Sequence, residues 1–159
     1  MTRDTAYDAA TLTVTITESL VLNKKDYGST QIMTFASIIS PDRRIVTVTT
    51  TEATVISFAA AMAAGTFIPG KVQYLRFTNL DDTNFINLTF ANENDDEAVW
   101  KLDKGMSYIV PGAQTEGMVD VLDADSAAIS SLTMADLKSV TADADTASCD
   151  MEYFLAEIA

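Results

Sequence analysis

The segment Thr11-Leu12-Thr13-Val14-Thr15-Ile16-Thr17 alternates without a break, placing Leu12, Val14 and Ile16 on one face and threonines on the other. Side chains of a pleated strand alternate between its faces, so this pattern predicts a half-buried strand. Threonine is β-branched, which lets the outward face stay polar without losing strand propensity. Asn23-Lys24-Lys25-Asp26-Tyr27-Gly28 carries turn chemistry and predicts a hairpin whose return strand covers residues 31–39. Pro41-Asp42-Arg43-Arg44 reads as a second loop, followed by β-rich runs at 45–51 and 54–58 that break near Glu52-Ala53. The Ala-rich residues 59–65 favour helix by composition but cover barely two turns, too short to stand alone, and predict a turn or an irregular Ala-packed segment.

In the middle of the chain, residues 72–80 predict a strand with Leu75 and Phe77 toward the core and Arg76 and Thr78 opposite. Asp81-Asp82-Thr83-Asn84 is turn-forming, and residues 85–90 alternate again with Ile86, Leu88 and Phe90 together, so these two strands are expected to form a hairpin. An acidic tip at 92–97, a strand at 98–102, a turn at 103–105 and a strand at 106–110 extend it into a meander. Residues 113–117 read as loop, 118–122 as a short strand and 124–135 as mixed. In the closing segment, Cys149, Met151, Tyr153 and Leu155 alternate against Asp150 and Glu152, predicting a terminal strand paired inside a sheet. Many short strands without a helix long enough for crossovers predict a single all-β domain over residues 1–159: an antiparallel β-sandwich of jelly-roll or Greek-key type with little helix.

A chain of 159 residues with 48% hydrophobic and 21% charged residues is long and apolar enough to bury one core without disulfides or a structural metal. Its formal net charge of −13, from 23 acids and 10 bases, sets it against nucleic-acid phosphates, whose binding needs clustered Lys and Arg. The same charge favours solubility. The lone cysteine, Cys149, excludes an intrachain disulfide framework and is consistent with assembly in a reducing cytoplasm. The opening Met1-Thr2-Arg3-Asp4 lacks a secretory pattern, and residues 55–69 are too short and too interrupted to span a bilayer, so no membrane association is expected.

The chain contains no histidine, which removes the commonest general base, the Ser-His-Asp and Cys-His arrangements and the usual zinc ligand. Cys149 sits among alternating apolar residues and reads as a small core side chain. Asp81, Asp82, the acids of 95–97, Asp123, Asp125, Asp143 and Asp145 fall at turns, where Asp belongs for backbone reasons; a glycosidase acid pair or a calcium site is the competing reading, but no EF-hand loop is spelled. With 6 glycines, no phosphate-binding loop and no dinucleotide fingerprint, no catalytic residue, cofactor or metal is expected. Asn87-Leu88-Thr89 spells a glycosylation sequon but reads as a strand triplet. Trp100, Tyr74 and Tyr108 offer either a sugar-stacking face or core packing. Lys24, Lys25, Arg43 and Arg44, rare bases at expected loops of an acidic chain, are the candidate interface toward an acidic partner.

The threonine-rich residues 11–23, the segment Val72-Gln73-Tyr74-Leu75-Arg76-Phe77-Thr78-Asn79-Leu80-Asp81-Asp82-Thr83-Asn84, the run Trp100-Lys101-Leu102-Asp103-Lys104-Gly105-Met106-Ser107-Tyr108 and the stretch Ala142-Asp143-Ala144-Asp145-Thr146-Ala147-Ser148-Cys149-Asp150 together resemble small structural proteins of tailed bacteriophages, marine and cyanobacterial phages in particular. The resemblance implies a non-enzymatic virion component: a capsid decoration or cement protein on the capsid surface, assembled in the host cytoplasm. Its partner would be the major capsid protein or another virion protein, and homo-oligomers are expected because binding at symmetry axes multiplies weak contacts. A head-to-tail, tail or fibre component is the alternative within the virion; a carbohydrate-binding sandwich module and an acid-pair glycosidase are the alternatives outside it.

Overall fold

A computed structural model describes residues 8–61, 63, 65–112 and 134–159. The loop expected at 113–117, the strand expected at 118–122, most of 124–135, Asp123 and Asp125 lie outside the described residues. Among the described residues twelve strands follow one another: β1 Ala10–Glu18, β2 Val21–Leu22, β3 Lys25–Asp26, β4 Ser29–Val48, β5 Ala53–Phe58, β6 Thr66–Phe67, β7 Val72–Asn79, β8 Ile86–Asn92, β9 Glu97–Leu102, β10 Ser107–Pro111, β11 Leu137–Ala144 and β12 Cys149–Ile158. A 3₁₀ turn, Pro69–Lys71, precedes β7.

Two five-stranded sheets result, in the orders β1-β4-β12-β7-β10 and β6-β5-β11-β8-β9, with β2 and β3 as a separate ribbon. All pairings are antiparallel except the two-residue bridge of β6 to β5. The strand pairs nest: β8 with β9, β7 with β10, β5 with β11, and β4 with β12. The chain therefore behaves as one long antiparallel hairpin whose two legs are rolled up together, alternate pairs falling in alternate sheets. That is the jelly roll, and the expected all-β antiparallel sandwich is what forms.

The rolling overturns one local expectation. β7 and β8 do not form a hairpin, since β7 pairs with β12 and β10 while β8 pairs with β11 and β9. β9 and β10 are likewise split between sheets, so the expected meander reduces to the β8–β9 hairpin. Alternation reports which face of a strand is buried, and both sheets of a sandwich bury one face; the connection decides the partner. Residues 80–85 form an arch between sheets. Asn79, buried, donates from Nδ2 to the carbonyls of Asn84 (2.9 Å) and Leu102 (3.2 Å), while the Asp81 carboxylate accepts from the amides of Thr83 (2.7 Å) and Asn84 (2.6 Å). Those amide bonds hold the Asp81 carboxyl below the usual carboxylate range.

Pro41-Asp42-Arg43-Arg44 is not a loop either: it lies inside β4, with Pro41 opposite Ala156 and Arg43 opposite Phe154 of β12. Over this part β4 pairs with β12 alone among the described strands, and an edge position is where a sheet accommodates proline.

The core fills the space between the sheets. Val72, Leu75 and Phe77 of β7, Ile86, Leu88 and Phe90 of β8, Val140 of β11 and Met151 and Leu155 of β12 are all fully buried. A ladder of aromatic contacts runs through it from sheet to sheet: Phe77 meets Phe90 edge-on (6.0 Å between centroids), Phe90 meets Tyr108 (5.8 Å), and Tyr108 stacks on Trp100 (5.6 Å) at the open edge between β9 and β10. Cys149, expected in the core, is 1% exposed there, and burial above all pushes its thiol above the ordinary range.

Among the described residues one carboxylate is buried without a full charge partner. Glu157 accepts only a long hydrogen bond from the Ile68 amide (3.4 Å), and burial pushes its carboxyl above the ordinary range, more than that amide and Lys71 lower it. An acid raised in the folded state favours folding below its unfolded value of about 4.3, and that contribution is lost as pH rises through the folded value. Replacing it by glutamine keeps an acceptor oxygen for Ile68 and removes the charge. Glu157→Gln is expected to raise the melting temperature at pH 7, with the advantage shrinking as the pH falls and lost well below about 4.3, where wild-type Glu157 is protonated in both states; thermal melts across this range measure it.

Candidate interaction surfaces

The first third of the described chain builds a hairpin that leaves the sandwich. β1 pairs with the beginning of β4, from Ala10 opposite Ile38 to Glu18 opposite Ser29, and with no other described strand. A bulge lies between Ala10 and Leu12, and Ser37 on the opposing strand takes a left-handed φ of 62°. Bulges bend a strand, and here the base of the hairpin lands on the outer face of the first sheet. Leu12, Val14 and Phe35 pack there with Tyr74, Phe154, Ile109 and Ile158, in a second apolar cluster centred on Ile38, Tyr74 and Ala156. The rings of Phe35 and Tyr74 lie 5.7 Å apart, those of Tyr74 and Phe154 5.8 Å.

Beyond Val14 the apolar side chains of the hairpin lie open to solvent and no longer on one face, since Ile32 pairs with Thr15. Ile16, Leu20, Val21, Leu22, Tyr27 and Ile32 are half of the large exposed hydrophobics among the described residues, and Val21 is 68% exposed. The tip is nonetheless well built. Asn23 and Lys24 both take positive φ (52° and 69°), the geometry of the two-residue turn that suits hairpin twist, and the Tyr27 amide donates to the Leu20 carbonyl at 2.8 Å. Gly28 is required at the corner, because a Cβ there would sit 2.6 Å from the Glu18 carbonyl oxygen. Its amide donates to the Asp26 carboxylate (2.8 Å), and Ser29 Oγ donates to Glu18 (2.6 Å).

Of the four candidate interface residues, two belong to this tip. Lys24 occupies its turn and Lys25 follows in β3, its ammonium 4.9 Å from the centre of the Tyr27 ring. Arg43 and Arg44 lie elsewhere, on opposite faces of β4, and each already has a carboxylate partner. Arg43 donates from Nε (2.8 Å) and Nη2 (2.5 Å) to Glu152, a β12 residue only 7% exposed that also binds Arg76 of β7. Glu152 thus ties three adjacent strands. Arg44 donates from Nε to Asp42 (3.0 Å), which also accepts from the Tyr153 hydroxyl (3.0 Å); burial, then that bond, pushes Tyr153 up to about 12. The four bases are therefore not one surface.

Trp100, Tyr74 and Tyr108 do not share a face either. Tyr74 is buried under the hairpin base, while Trp100, 47% exposed, stacks on Tyr108 at the edge of the sandwich. Among the described residues no three of the acids and Cys149 gather closely enough to hold a metal ion, and no helix is long and apolar enough to cross a membrane.

No protein-family model matches the chain, and no curated protein matches it. The functional reading therefore rests on the molecule itself, and its most distinctive feature is the hairpin. Sequence reasoning identified the hairpin and the two lysines but not its apolar tip. The available signal was Leu20-Val21-Leu22, three apolar residues running unbroken into a turn, where strands with one buried face would alternate.

The two pairs of bases separate in a stability experiment. Glu152→Ala leaves two arginines without their shared carboxylate and is expected to cost about 2–3 kcal/mol, less than for a fully buried pair because Arg43 is largely solvated. Lys24→Ala and Lys25→Ala are expected to stay within about 0.5 kcal/mol of wild type. Urea unfolding of the three variants measures the difference.

Proposed function

We propose that this chain is a non-enzymatic structural protein of a phage virion, a decoration or cement protein that binds the capsid shell and stabilises it. The observation that carries the reading is the hairpin: a two-stranded element, anchored at its base and displaying Leu20, Val21, Leu22 and Tyr27 to solvent. Apolar side chains exposed together on a defined element are what a protein partner buries, whereas a monomer seldom keeps such a patch. The resemblance of residues 11–23, 72–84, 100–108 and 142–150 to small tailed-phage structural proteins supplies the setting. A chain carrying −13 suits the outside of a particle that must stay dispersed. The jelly roll agrees with this setting without requiring it, since the same fold hosts lectins and cupins.

A second reading has one observation in its favour. The half-exposed Trp100 ring, braced by Tyr108, is the kind of platform on which a sugar stacks, which favours a carbohydrate-binding module.

Two measurements separate these. Shells purified without this chain are expected to lose integrity at a lower temperature than complete particles and to regain the difference when the purified protein is added. Equal stability with and without it contradicts the cementing role. Under the second reading Trp100→Ala abolishes binding to a glycan array; under the first, wild type and variant both leave the array unlabelled.

A further inference from the structure

The end of the sandwich away from the hairpin combines acidic loops with exposed apolar side chains. The hairpin leaves from the end where Ile38 pairs with Ile158. At the opposite end four connections meet, residues 49–52, 80–85, 103–106 and 145–148. They are joined by backbone hydrogen bonds from Ala144 to Thr49 (2.8 Å), Asp145 to Phe85 (3.1 Å), Asn79 to Met106 (3.0 Å) and Leu80 to Asp150 (2.9 Å). These loops carry five acids, Glu52, Asp81, Asp82, Asp103 and Asp145, against one base, Lys104. Between them two large apolar side chains stand open, Leu80 and Met106, held together through Asn79.

The hairpin tip is not acidic: residues 18–29 balance Lys24 and Lys25 against Glu18 and Asp26 on a chain of net charge −13, and the two lysines lie beside the exposed Leu20, Val21 and Leu22. From Val14, the last residue of the stripe packed on the sandwich, to Leu22 is eight residues, at most about 25 Å of chain, enough to reach a neighbouring molecule.

We propose that the occupant of the hairpin tip is the far end of a second copy of this chain: Leu20, Val21 and Leu22 of one molecule cover Leu80 and Met106 of the next, with Lys24 and Lys25 set against its acidic loops. The inference rests on the reading of the hairpin as a protein-docking element and names its partner, and it holds whether or not the copies sit on a shell. Opposite charge around matched apolar centres steers the encounter and fixes the orientation. Because the two contacting surfaces differ, the contact is head-to-tail, and every open oligomer keeps one free tip and one free end, so it grows as a filament unless a ring closes.

Complementation tests this with purified protein alone. The wild-type chain is expected to form species larger than a dimer with rising concentration in sedimentation velocity. A tip variant, Val21→Asp with Leu22→Asp, and an end variant, Leu80→Asp with Met106→Asp, are each expected to be monomeric alone, with association weakened at least 10-fold. Mixed in equal amounts they are expected to form a 1:1 dimer and nothing larger, since one intact tip and one intact end remain. All four positions are exposed, and a thermal melt of each variant verifies that it folds. A milder pair covers the case in which it does not: Lys24→Glu with Lys25→Glu weakens association, and Asp82→Lys with Asp145→Lys in the same chain restores it. A wild-type chain that stays monomeric overturns the proposal, as does a mixture that fails to pair. So does an end variant that still self-associates, which signifies a tip-to-tip contact. Shell binding is measured separately, so a monomeric protein that still stabilises shells removes this contact and leaves the decoration role standing.

Discussion

The fold depends on the last strand finding its place. β12 lies between β4 and β7, so that Met151 faces Val46 on one side and Asn79 on the other, partners from the first third and the middle of the chain. Until those pairings form, β4 and β7 belong to no common sheet, and the inward rows of Phe77 and Leu155 have no shared interior to enter. Loop-closure entropy has to be met before such distant contacts stabilise anything, which makes this a slow-folding, all-or-none architecture. Glu152 reinforces the same place. Held by Arg43 of β4 and Arg76 of β7, it fixes the lateral order of three strands from within the middle one. A buried carboxylate is a poor source of net stability but a strong constraint on register, since any slip of β12 strands it without its arginines.

Much of this was legible in the chain, and the limits of legibility have physical causes. Period-two alternation located β1, β7, β8 and β12 and assigned the buried faces of the last three correctly, from Leu75 and Phe77 to Cys149, Met151, Tyr153 and Leu155, whereas on β1 Leu12 and Val14 are half-buried and Ile16 is exposed. What it does not encode is which sheet a strand joins. The turn chemistry of Asp81 to Asn84 serves an arch between sheets as well as a hairpin within one, and only the buried Asn79 side chain, bonded to Asn84 and Leu102, distinguishes them. Pro41 and the three charges after it looked like a loop because an edge strand tolerates proline and because two of those charges, Asp42 and Arg44, bond each other. The candidate surface was half visible: Lys24 and Lys25 stand at the hairpin tip as expected, whereas the partners of Arg43 and Arg44 come from across the sheet or from the same strand and leave no mark on local sequence.

The hairpin and the sandwich stand in a simple energetic relation. Its base is covered by the packing of Phe35 on Tyr74, so the element is held in direction, while its tip buries little against its own molecule. An element so arranged loses little conformational freedom on binding, because its turn, corner and cross-strand bonds are already in place, and it retains apolar surface to bury. That combination, with the acidic body it projects from, is the physical case for a protein that works by association.

Amide hydrogen exchange of the free chain and of the chain in its assembled state tests this claim most directly. The account predicts that the amides of residues 15–32 become protected on assembly. Unchanged exchange in the hairpin, with protection appearing on the outer faces of the sandwich instead, would contradict it.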